Sequence, residues 1–212
     1  MGLSLASTTY TATGTASGET ISAEATFDFS VAGHLTITLT NLESSQDVGQ
    51  NISDLEFGLG GTTTFTGSSA TTITCSKPTC TPNSTVVPTG WGFGTESGNL
   101  IVCIICGSAN LSVTNSNGPN YTILGPNPDA NNGSIGVSGS HNPFINQTAT
   151  FTFSNTSFTT STLPSEVMFS FGTTAGVEVD SLRQTTTPEP FSFLLVGSGL
   201  ALIGLARLRR AQ

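Results

Sequence analysis

Charge is scarce in this 212-residue chain: Asp, Glu, Lys and Arg together make up 8%, against about 25% in ordinary soluble domains. Cations are scarcer still. Five Lys and Arg stand against 13 Asp and Glu, and only Lys77 and Arg183 precede residue 188. Glu189 is the one acid beyond that point, so 13 − 1 = 12 carboxylates face two cations in residues 1–187. Such a surface repels phosphate backbones, which excludes nucleic acid as an expected partner. Histidine is limited to His34 and His141, each beside turn residues, and two distant turn histidines do not make an acid–base pair. No Gly-x-Ser-x-Gly elbow occurs. The Gly-rich stretches 115–118 and 133–139 open no expected helix, so they are not phosphate cradles. No enzyme activity and no cofactor are expected.

What remains is polar through Thr, Ser, Asn and Gly, with 36% apolar residues and 13 Phe. That is enough to build a core. The four cysteines fall in two close pairs, Cys75 with Cys80 and Cys103 with Cys106. Three pairings are open, and two disulfides are the expected state in an oxidising compartment. C-x4-C followed by C-x2-C also resembles the ligand spacing of a zinc ribbon. The strand-like Val102, Ile104 and Ile105 argue against a metal knuckle, and no metal is expected.

Period-2 alternation dominates as far as residue 183. Phe27, Phe29 and Val31 alternate with Asp28 and Ser30. After Ala32-Gly33-His34, the apolar Leu35, Ile37 and Leu39 alternate with Thr36, Thr38 and Thr40. Two such runs joined by a short Gly-containing connection predict a hairpin. The same pattern returns at Ala149, Phe151 and Phe153, and at Val167, Phe169 and Phe171. Shorter strands are expected over 55–59, 71–75, 91–93, 100–105, 121–124 and 135–137. With no helix to cover a sheet, the sheets must cover each other. The expected fold is therefore all-β, an antiparallel, jelly-roll-like β-sandwich over residues 1–183.

Three constellations inside this domain could carry chemistry. Asn127, Asp129, Asn131 and Gly133 loosely resemble an oxygen-rich calcium loop, but the register is wrong and turn chemistry explains the same residues. Glu178 and Asp180 share one strand face, as paired carboxylates of a glycosidase would, yet an exposed acidic edge is the simpler reading. Tyr10, Trp91, Phe93 and Tyr121 are the aromatics that could stack on a polysaccharide, with burial in the core the expected place for Trp91.

Residues 184–187 break the pattern and form the expected linker to the tail, 188–212. Pro188-Glu189-Pro190 stops any strand and keeps the junction extended. Residues 191–206 carry no charge. As a helix those 16 residues would span roughly 24 Å at about 1.5 Å each, a little less than the ~30 Å of bilayer hydrocarbon. Snorkelling of Arg207 and local thinning absorb the difference. The run is apolar around its circumference, unlike an amphipathic core helix, so a single transmembrane helix is expected over 191–206. Arg207, Arg209 and Arg210 then lie in the cytoplasm, and the acidic domain lies across the membrane.

In that order, Pro-Glu-Pro, an apolar span and an arginine cluster resemble the PEP-CTERM sorting signal. The likeness covers 188–210, about a tenth of the chain. It implies that an exosortase-type membrane enzyme with a cysteine nucleophile recognises Pro188, Glu189 and Pro190. It implies further that the helix holds the substrate in membrane lipid while Arg207, Arg209 and Arg210 stop transfer. The expected destination is the cell surface or extracellular matrix of a Gram-negative bacterium, by way of its inner membrane, beside exopolysaccharide. Export needs a signal peptide, and residues 1–7 show neither a basic start nor an apolar stretch. The true start is expected upstream.

Overall fold

The computed structural model describes residues 7–16, 18–96, 98–106, 120–137, 141–173, 178–180 and 183–185. The fold is all-β. Its strands in chain order are β1 (Ser7–Ala16), β2 (Glu19–Asp28), β3 (His34–Asn41), β4 (Ile52–Gly58), β5 (Thr64–Ser76), β6 (Thr79–Val87), β7 (Gly92–Glu96), β8 (Asn99–Cys103), β9 (Ile123–Leu124), β10 (Phe144–Ser154), β11 (Ser165–Phe171), β12 (Glu178–Asp180) and β13 (Arg183–Thr185). Among the described residues helix is confined to a 3₁₀ turn at Val48–Gln50 and one α-turn, α1, at Gly133–Gly136.

Hydrogen bonds link the strands in the order β12-β11-β4-β9-β10-β3-β2-β1-β13, with β5 and β6 added beside β10, and β8 and β7 beside β4. The alternation explains why the sheet folds into two layers. On β2, β3 and β10 the apolar set Phe27, Leu35, Ile37, Leu39, Ala149, Phe151 and Phe153 is buried, while the intervening threonines stay half-exposed. One buried face per strand demands a second sheet opposite. That sheet is β12-β11-β4-β8-β7. Phe57 of β4 meets Phe27 edge-on at 5.2 Å and Phe153 at 6.1 Å, and Phe93 of β7 meets Phe153 at 5.3 Å.

The seam between the layers is the two-residue β9, where Ile123 pairs antiparallel with Ile52 and parallel with Ile145. All other pairings among the described residues are antiparallel. Buried Asn41 holds this seam, donating from Nδ2 to the carbonyls of Gln50 and Ile123 at 2.8 and 3.0 Å. At the two ends of the path β12 and β13, separated in the chain by residues 181 and 182, pair with opposite layers. Strand pairing thus runs through Thr185, into the stretch 184–187 expected as linker.

The expected hairpin of β2 and β3 forms, with Phe27 opposite Ile37. Its tip differs. Val31 was expected on the apolar face but is 61% exposed, because the strand ends at Asp28, whose carboxylate accepts the Ser30 N–H at 2.8 Å. Gly33 then turns the chain with φ 78°, a conformation glycine adopts without penalty. Residues 135–137 are not a strand. Asn132 caps a helical turn there through Ser134 N–H at 2.7 Å, which buries Ile135. Three residues are too few for alternation to separate the two states. The strand expected over 121–124 shrinks to Ile123–Leu124, since Tyr121 has φ 64° and cannot be extended. The strand expected over 100–105 ends at Cys103.

Candidate functional site

Each cysteine pair is closed by a local disulfide, Cys75–Cys80 and Cys103–Cys106. Cys75 and Cys80 are directly opposite across the hairpin of β5 and β6. Asn142, just before β10, holds Cys75 by both backbone groups: Oδ1 accepts its N–H at 2.7 Å, and Nδ2 donates to its carbonyl at 2.9 Å. The other pair sits where β8 ends, beside the Ile104 N–H bond to the Ser53 carbonyl at 2.9 Å. One bridge lies in each layer, so the four sulfurs do not converge as zinc-ribbon ligands would.

The expected sugar-stacking aromatics are largely consumed by the core. Trp91 is 2% exposed. It packs on Phe151 at 5.3 Å and donates its indole N–H to the Tyr121 carbonyl at 2.8 Å. Tyr10 is buried against Phe27, and its hydroxyl donates to the Pro164 carbonyl. Phe93, half-buried, stacks on Phe65. No open platform joins these rings.

The two histidines stand at opposite ends of β10. His34 pairs in register with Ser154, and His141 lies before Phe144. At ~3.4 Å per residue they are roughly 30 Å apart. His34 is exposed and lines a shallow, open groove of about 370 Å³ with Asp28, Ser30, Val31 and Thr36. Burial lowers the pKa of His141. The calcium-like loop is a turn: the Asp129 carboxylate accepts the Asn131 N–H at 2.9 Å, and Asn132 caps α1. Among the described residues no group of three or more His, Cys, Asp or Glu could hold a metal ion.

Register brings the acidic segments of β4 and β12 to either side of β11, and the β4 pair was not singled out by the sequence pattern. β12 places Glu178 opposite Ser170 and Asp180 opposite Met168, and those residues pair with Asp54 and Glu56 of β4. Asp54 and Glu56 are buried, and Asn99 Nδ2 donates to Glu56 at 3.0 Å and to Glu166 at 3.1 Å. The signal was present, since Asp54 and Glu56 alternate with Leu55 and Phe57. What it lacked was the register that aligns three strands.

Pro188, Glu189, Pro190, residues 191–206, Arg207, Arg209 and Arg210 lie outside the described residues. Within the described residues no helix is long and apolar enough to cross a membrane. Comparison with protein-family models, with curated proteins and with solved structures finds no match. The class defined by the geometry is a two-layered, all-β domain with two local disulfides.

Proposed function

We propose that this chain is an exported bacterial cell-surface or matrix-associated protein with a structural or adhesive role and no enzymatic activity, carrying a C-terminal exosortase sorting signal. The observation that carries the reading is the ordered tail: Pro188-Glu189-Pro190, sixteen uncharged residues, then Arg207, Arg209 and Arg210. Two bonded cysteine pairs support it, because disulfides persist in oxidising compartments. The two layers fit an antiparallel, jelly-roll-like β-sandwich, which residues 191–206 would follow as one transmembrane helix. A polysaccharide-binding module with the same tail is the other reading. Burial of Trp91 and Tyr10 removes the platform that would have favoured it.

The test is intact mass and fractionation of the native protein in its host, with and without a functional exosortase. A surface form truncated near Pro188-Glu189-Pro190 and lost on exosortase deletion is expected. A full-length, membrane-retained form in both strains would leave a plain anchor and end the exosortase reading.

A further inference from the structure

The outer face of the first layer repeats one side chain in two dimensions. Thr36, Thr38 and Thr40 on β3 lie opposite Thr152, Thr150 and Thr148 on β10. The rows extend across the neighbouring strands: Thr38 also pairs with Thr26 of β2, which pairs with Thr9 of β1, and Thr150 pairs with Ser69 of β5. Hydroxyl-to-hydroxyl bonds tie the rows crosswise, Thr9 to Thr26 at 3.0 Å, Thr40 to Thr148 at 3.2 Å and Thr66 to Thr152 at 3.0 Å. Every second residue faces out, so the oxygens form a grid of roughly 6.8 Å along the strands by about 4.8 Å across them. Sheet twist rotates adjacent strands by about 20–25°. Close registry therefore belongs to β3 and β10 and their immediate neighbours.

Three properties of this block narrow what it can bind. First, β3 from Thr36 to Thr40 and β10 from Thr148 to Thr152 contain no charged residue. The carboxylates of this layer, Glu19, Glu24 and Asp28, sit on flanking β2, with Glu24 opposite Thr40 and Asp28 opposite Thr36. An anion finds no counter-charge here, and a cation meets carboxylates only at the margin, beside Thr36 and Thr40. Second, among the described residues the exposed large apolar side chains, Val31, Leu42, Val86, Val137 and Leu163, lie outside these two segments, with only Val31 and Leu42 at their margin, so the block is not an apolar protein-docking patch. Third, each threonine presents a methyl beside its hydroxyl on a β-branched side chain of restricted rotation. Methyls disfavour disordered liquid water, and fixed hydroxyls offer donors and acceptors at a regular spacing. That combination matches a neutral, rigid, repeating lattice of hydrogen-bonding oxygens. Prism faces of hexagonal ice repeat at spacings close to those of this grid.

We propose that the threonine face centred on β3 and β10 adsorbs to ice, its ligand being the ordered water lattice at the ice surface. This inference is independent of how the protein is sorted.

The experiment uses the full chain in detergent micelles, beside micelles alone, and measures partition into slowly growing ice together with inhibition of ice recrystallisation. The parent protein is expected to enter the ice and hold crystals small. Thr38→Tyr combined with Thr150→Tyr breaks the grid at its centre and is expected to raise the concentration needed at least tenfold. Thr38→Ser combined with Thr150→Ser keeps the hydroxyls and the fold, drops the methyls, and is expected to weaken adsorption severalfold. Leu163→Tyr, in the loop before β11, leaves it unchanged. Exclusion of the parent from ice, or full activity in the folded serine variant, overturns the proposal.

Discussion

Tyr10 lies on the buried face of β1, and its hydroxyl finds the Pro164 carbonyl at 2.5 Å. Burial raises its pKa, because the phenolate would be desolvated. The folded value therefore stands above the unfolded one of about 10. Its stabilising contribution is complete below that pH and is lost as pH rises through the folded value. Tyr10→Phe keeps the edge contact with Phe27 and strands the carbonyl, so denaturant unfolding at neutral pH should show a loss of about 1 kcal/mol. The variant should also lack part of the alkaline destabilisation. Parent-like stability in both regimes would mean that the carbonyl is as well served by water.

At the scale of elements, β6 is the exposed member of its hairpin and pairs only with β5 among the described residues. An open strand edge invites pairing with another chain. The backbone groups of Cys75 are both taken by Asn142, so Cys75 and Cys80 form a non-hydrogen-bonded pair across the hairpin. Alternation makes Ile73 and Pro82 another such pair, which points the Pro82 nitrogen outward. Proline there costs no ladder bond and deletes a donor from the free edge. Pro82→Thr restores that donor. Sedimentation should then show concentration-dependent association that the parent lacks, and a variant that stays monomeric at the same concentrations would remove Pro82 as the guard of this edge.

For the whole molecule, Phe57 is the residue on which both layers close, touching Phe27 and Phe153 from the opposite sheet. Phe57→Ala should cost roughly 3–5 kcal/mol through lost burial and the cavity left behind. Domains of this kind hold only about 5–15 kcal/mol in total, so a large drop in melting temperature is expected by calorimetry. A small change would show that the facing sheets collapse onto the gap.

Alternation by itself determined the all-β class, the buried faces of β2, β3, β10 and β11, and the hairpin at Gly33, because a period of two assigns each side chain to a face without reference to anything distant. The sorting signal proposed for Pro188 to Arg210 rests on order and composition alone. Local patterning could not determine which strands are neighbours. The long hairpin of β5 and β6 was missed over most of its length, as exposed strands need no apolar alternation. The seam at β9 was unreadable because two residues carry no period. The acidic row joining Asp54 and Glu56 to β11 and β12, the threonine grid across β3 and β10, and the burial of Trp91 against Phe151 all depend on register between segments far apart in the chain. Only tertiary pairing sets that register, because each of these groups takes its meaning from the strand beside it.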